Sequence, residues 1–305
     1  MKGGSVLIVF AFIIFFIFLL SSLFYYYIFN GEEIFFEEFE LSTDFNVSGN
    51  MQFYDNMRYK SSKLSYNIED TCNFNKIENV KEAFSILSEK TILEFYESEN
   101  GHEIEILCAD ISPSSDEKGH FVAGEGGPSE IVQAGKYNVI LLGKISLFRI
   151  DKCDKPQIAV HEILHALGFD HNTNKTSILY PITNCKQEID DYIIDEINSL
   201  YSVKSLPDLS IEKAEASKIG RYINFEIVVF NVGFKDAEKS KLKVFAEDTE
   251  IREFELEELN VGAKRILTVE NLRLPLRKID SIRFSVEFDS EELSKANNIL
   301  VMELT

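Results

Sequence analysis

Hydrophobic and polar positions change rhythm three times along the chain. Ser5 to Phe29 reads SVLIVFAFIIFFIFLLSSLFYYYIF, with no charge from Gly3 to Gly31. A bilayer core about 30 Å thick needs roughly 20 apolar residues in a helix, so this run predicts a transmembrane helix. Residues 31–50 are acidic and aromatic without clear period, which reads as a stalk. From about Met57, strand and helix periods mix. Leu64–Ile68 and Glu103–Leu107 alternate as half-buried strands do, whereas Ile77, Val80, Phe84 and Leu87 share one helical face. Residues 111–128, rich in Ser, Pro, Gly and Asp, read as loop. Tyr137–Phe148 is apolar enough for a buried strand. Pro156–Leu167 reads as a helix opened by proline and stopped by Gly168, and Gln187–Ser202 repeats the helical spacing. After Pro207 come short alternating segments at 223–230, 241–245, 251–256, 265–269, 282–288 and 299–304, the texture of a β-sandwich.

These divisions predict a cytoplasmic tip and transmembrane signal anchor over 1–30 and a stalk over 31–56. An α+β (α/β) domain over 57–205 and an all-β sandwich over 206–305 follow. Lys2 precedes the apolar run, while Glu32, Glu33, Glu37, Glu38 and Glu40 follow it. The positive-inside rule then gives a single-pass cell-membrane protein with its N-terminus cytoplasmic and the remainder extracellular. A cleaved signal peptide is the rival reading, disfavoured by the length of the run and the lack of a small-x-small site. The net charge of −20 across 305 residues argues against nucleic-acid partners, because such a surface repels phosphate backbones. Cys72, Cys108, Cys153 and Cys185 all follow the apolar run. An even number in an exported segment favours disulfides, of which three pairings exist. The expected pairs are Cys72–Cys108 and Cys153–Cys185, the second bracketing the helix at 156–167.

That helix carries the most specific chemistry. Residues 161–171 read His-Glu-Ile-Leu-His-Ala-Leu-Gly-Phe-Asp-His. His161 and His165, one turn apart, present both imidazoles to one metal. Glu162 is offset, placed to reach a water rather than the ion. Gly168 can take φ > 0 and turn the chain so that His171 supplies a third ligand. Three imidazoles leave a fourth position open, as in catalytic zinc sites. The expected chemistry is attack on a carbonyl by a zinc-activated water, with Glu162 taking its proton. One catalytic Zn2+ is therefore the expected cofactor; a structural Ca2+ is left open. His102 and His120 are isolated and read as surface histidines.

With these residues in view, the chain resembles the metzincins, and among them the matrixins, over about Met57–Ser202. Met57-Arg-Tyr-Lys and Leu64–Ile68 resemble the family's first strand, and Ala83-Phe84 and Thr91–Phe95 its first helix and exit. Ser177-Ile-Leu-Tyr-Pro181 falls at the family's Met-turn, and Asp190–Tyr201 resembles its closing helix. The resemblance implies a twisted mixed sheet, a zinc at the floor of a cleft, and peptide or protein substrates bound along an edge strand. It implies His161, His165 and His171 as ligands and Glu162 as base. It also puts Leu179 at the turn's methionine position, with Tyr180 and Pro181 beside it in the pocket wall. No cysteine-switch propeptide or histidine-rich second zinc site is recognisable. The C-terminal region resembles CARDB-type, immunoglobulin-like adhesion modules through Asn231-Val-Gly233, Leu256–Gly262 and Asn297–Leu300. That resemblance implies a cell-surface partner. The expected function is a membrane-anchored extracellular zinc endopeptidase. A proteolytically inactive binding protein is the first alternative, and a structural zinc protein the second.

Overall fold

The computed structural model describes residues 16–21, 33–39, 51–113 and 122–304. A short helix α1 covers 16–21, and strand β1 covers Glu33–Phe39. The next stretch carries β2 (Met57–Tyr59), β3 (Lys63–Ile68), α2 (Phe74–Lys90), β4 (Glu94–Glu97), β5 (Ile104–Cys108), β6 (Gly124–Ala134), β7 (Tyr137–Leu147), α3 (Gln157–Ala166) and α4 (Asp191–Ser202). Seven strands complete the chain: β8 (Leu209–Ile219), β9 (Tyr222–Asn231), β10 (Ser240–Ala246), β11 (Thr249–Leu256), β12 (Lys264–Arg273), β13 (Ser281–Glu287) and β14 (Ile299–Glu303).

Strands β2 to β7 form one sheet in the order β2-β7-β5-β3-β4, parallel throughout, with β6 running antiparallel to β7 from Gly124 opposite Leu147 to Ala134 opposite Tyr137. Helix α2 starts where the Asn73 side chain accepts from the Lys76 N–H, which satisfies a donor that the first turn leaves unpaired. It ends at Thr91, whose N–H and hydroxyl both donate to the Leu87 carbonyl. The helix buries Val80, Ala83, Phe84 and Leu87 in a core shared with Ile104, Ile106 and Ile145 of the sheet, Ile163 and Leu164 of α3, and Ile193 and Ile197 of α4. A disulfide joins Cys72, just before α2, to Cys108 at the end of β5.

The later strands form two antiparallel four-stranded sheets, β1-β12-β9-β8 and β11-β10-β13-β14. Their inner faces meet in a second core that includes Ile223, Phe225, Leu242, Val244, Leu267 and Phe284. A small third cluster joins the two parts of the chain: Ala134 and Val139 from β6 and β7 pack with Phe234 and Val261 from the sandwich.

The structure corrects several expectations. Among the described residues 42% are in strands and 18% in helices, so the chain is mainly β rather than the expected α+β (α/β) domain with an appended sandwich. The difference comes from long strands that composition hides, β6 in the glycine-rich stretch and β8 after Pro207, and from helices confined to three packed segments. Among the described residues no helix is long and apolar enough to cross a membrane. Helix α1 has six residues, a rise of about 9 Å against a hydrocarbon core of about 30 Å. This finding overturns the transmembrane signal anchor and the single-pass cell-membrane location drawn from Ser5–Phe29. The rest of that apolar run lies outside the described residues.

The described parts of the expected stalk are also structured. Strand β1 pairs with β12, Glu33 opposite Glu270 and Phe39 opposite Lys264. The unpaired N–H and C=O groups of a sheet edge suffice for such an addition without a regular apolar period. Residues 51–53 pair with the segment after α3: Phe53 N–H donates to Gly168 O and Asp170 N–H to Met51 O.

Candidate metal centre and cleft

Helix α3 lies across β6 at a distance only glycine allows. A Cβ at Gly126 would stand 2.2 Å from the Glu162 carbonyl oxygen, and one at Gly124 would stand 2.6 Å from Glu162 Cγ. Gly127, the next residue of β6, has open space where its Cβ would stand. Gly126→Ala is therefore expected to cost about 1–3 kcal/mol, because overpacking displaces α3, while Gly127→Ala costs little. Thermal denaturation of the two variants side by side is the check, and equal stability would contradict the packing. The far end of α3 is held by Tyr59, whose hydroxyl donates to Ala166 O at 2.9 Å.

Gly168 ends the helix at φ 96°, a conformation open to glycine and strained for other residues. Its N–H donates to His165 O, and the redirected chain brings His171 back toward the helix. The Nε2 atoms of His161, His165 and His171 lie 3.0, 3.1 and 3.2 Å apart. His161 Nδ1 is 2.6 Å from Ile178 O and His165 Nδ1 is 2.7 Å from Phe169 O. A carbonyl only accepts, so each Nδ1 carries the proton and each Nε2 presents a lone pair. Burial, with help from neighbouring His165, lowers the His161 pKa to about 3, and burial lowers that of His165 to about 4. Burial lowers His171 as well, against a smaller opposing effect of Asp170. All three imidazoles are thus held neutral, the form that ligates metals. Lone pairs converging this closely repel one another unless a cation lies among them. An ion about 2.0–2.1 Å from tetrahedral ligands keeps them about 3.3 Å apart, close to the spacing observed. The residues present fit a zinc ion.

Glu162 is buried beside this triad. Burial, and next the Glu125 carboxylate, push its pKa up to about 8. A dication in the triad opposes that shift, because a nearby opposite charge favours the carboxylate.

The turn at Ser177–Tyr180 backs the triad. Tyr180 N–H donates to Ser177 O, and Ile178 O receives the His161 proton. The Ser177 hydroxyl accepts from Leu179 N–H and from the Asn172 amide and donates to Asp190, which ties the turn to the His171 loop and to α4. Leu179 is buried in the first core. Replacing it with methionine, of similar volume, is expected to change zinc affinity and turnover by no more than about tenfold, or about 1.4 kcal/mol. An inert wild type restored by Leu179→Met would instead mark the leucine as disabling.

A cleft of 1310 Å³ opens over His161, Glu162, His165 and His171. Gly124–Gly126 of β6 line one side, and Tyr180, Pro181 and Cys185 line another. A disulfide joins Cys185 to Cys153, which also lines the cleft. Sequence reasoning missed the β6 side, because Gly-Glu-Gly-Gly-Pro looks like loop. His102 stands apart from the triad with its Nδ1 buried and unpartnered, and His120 lies outside the described residues.

Residues 58–202 match the family model of the matrixins. Over these residues the chain is similar to the matrixins. Matrixins are zinc-dependent metallopeptidases, and the His161, His165 and His171 cluster can hold a metal ion. No curated protein matches the chain. Solved structures similar to it include the CARDB domain of the PF1109 protein from Pyrococcus furiosus, in complex with di-metal ions. That match has 18% identity and covers 33% of this chain and 88% of that one, with a TM-score of 0.29. A likeness this low carries no argument about the sandwich.

Proposed function

We propose that the chain is a zinc-dependent endopeptidase that hydrolyses peptide bonds in the cleft over His161, His165 and His171. The observation that carries the proposal is the convergence of three neutral imidazoles beside a buried, non-ligating carboxylate. When bound, zinc supplies Lewis acidity that acidifies water and polarises a carbonyl. His161, His165 and His171 are its ligands, and the backbone carbonyls of Ile178 and Phe169 orient the first two. Glu162 takes the proton from the attacking water and delivers it to the leaving amine. The outer edge of β6 offers main-chain groups along which an extended peptide aligns, as in strand addition. Tyr180 and Pro181 form part of the wall that receives a substrate side chain. In this reading residues 57–205 perform the chemistry, and 206–305 form a sandwich that positions them or docks substrate.

The test is digestion of a peptide library by the full chain, with and without a chelator. Cleavage that a chelator abolishes and added zinc restores supports the reading. Cleavage indifferent to the chelator, or none in zinc-loaded protein, sinks it.

A further inference from the structure

The end of the sandwich marked by Gly220 carries charge opposite to that of the chain. Residues 218–222 and 273–278 read Lys-Ile-Gly-Arg-Tyr and Arg-Leu-Pro-Leu-Arg-Lys, with five basic residues and no acidic one, in a chain of net charge −20. The first segment is the β8–β9 hairpin, turned at Gly220 with φ 64°; the second leaves β12 toward β13. They are held together by backbone and side chain. Arg273 pairs opposite Tyr222, Leu274 N–H donates to Arg221 O at 2.8 Å, and the Arg221 guanidinium donates to Pro275 O at 2.6 Å. Lys218 Nζ reaches Ile279 O at 3.3 Å.

Between the loops lies a recess of 370 Å³ lined by Ile219, Gly220, Arg221, Tyr222, Arg273 and Arg277. Several other exposed cations of the sandwich have carboxylate partners, such as Lys239 with Glu257 and Lys241 with Glu253. Among the described residues, none of these three arginines has a carboxylate within ion-pair distance. Like charges held together without counterions are unfavourable unless an anion joins them, and guanidinium forks match the oxygen geometry of phosphate. The ten residues of β9 separate this recess by about 30 Å from the end of the sandwich where Phe234 and Val261 meet β6 and β7, so it is distinct from the cleft.

We propose that this recess binds a phosphate group, either free or repeated along a polymer. The overall charge of the chain sharpens the test, since it disfavours phosphate everywhere else. The full chain is titrated at constant ionic strength with inorganic phosphate in one arm and polyphosphate of equal phosphate content in the other, with calorimetry as readout. Saturable binding in either arm, weakened at least tenfold in an Arg273→Gln/Arg277→Gln variant with peptide cleavage unchanged, is the expected result. Binding in the first arm assigns a free phosphate, and binding in the second alone assigns a polymer. A Lys239→Gln/Lys241→Gln variant removes the same formal charge at the start of β10 and just before it, and is expected to bind as the wild type does. No binding in either arm, or an equal loss in both variants, overturns the proposal.

Discussion

Glu162→Gln is expected to keep its zinc and lose turnover by about 10²–10⁴-fold, the usual contribution of a positioned general base. The two properties separate because Glu162 is not one of the three converging ligands. Glutamine preserves the side-chain shape that packs against the bare backbone at Gly124, and the helix contacts around it stay in place. What it removes is the basic oxygen. Metal content by elemental analysis and single-turnover rates on one peptide read the two quantities independently. Wild-type turnover in the variant would assign the proton transfer to another group. Loss of zinc together with activity would make Glu162 a structural support of the ligands.

The meeting of the three histidines is legible in sequence because local geometry dictates it. Four residues make one helical turn, and a glycine at position 168 can take the positive φ that redirects the chain. Helix α2 and strand β7 are legible for the same local reason, since their own apolar periods specify the faces they bury. The elements that sequence reasoning missed are specified from outside themselves. Strand β6 is glycine-rich because the Glu162 carbonyl occupies the space a side chain would take at Gly126; composition alone makes the same segment a loop. Strand β1 is fixed by pairing with β12, more than 200 residues further along, and has little period of its own. The apolar run near the N-terminus misled in the opposite direction. Composition over 25 residues predicted a span, and the helix described there has six. Arg58 shows the limit of reading a strand in isolation. In Met-Arg-Tyr the arginine looks like the solvent-facing member of the alternation, yet all three residues are buried.

Arg58→Ala is expected to destabilise the protein by about 3–5 kcal/mol, the range for breaking a buried charged network. Arg58 is 1% exposed, with no carboxylate in ion-pair distance of its guanidinium among the described residues. It lies 3.9 Å from the ring centre of Phe234 in the sandwich and 4.7 Å from that of Tyr201 in α4. Its N–H groups donate to Leu200 O, to Val203 O at 3.2 Å and to Tyr59 O at 3.0 Å. The first two carbonyls stand at the C-terminal end of α4, where the helix dipole favours a cation. Burial lowers its pKa, but an arginine stays charged, so the two rings and the carbonyls replace the water it has lost. Alanine leaves those carbonyls unpaired and opens a void between the two parts of the chain. A fall in Tm on the order of 10 °C is expected. Arg58→Lys keeps the charge without the flat fork and recovers less than half of the loss. Phe234 reaches Arg58 from the other part of the chain, so a double-mutant cycle with Phe234→Ala measures how far each part depends on the other. A chain ending at Ser205 loses that ring and is expected to melt lower than the full protein, even where it still cleaves a small peptide. If the Arg58→Ala and Phe234→Ala losses add to within about 0.5 kcal/mol, the sandwich touches the arginine without stabilising it, and the two parts are joined by contact alone.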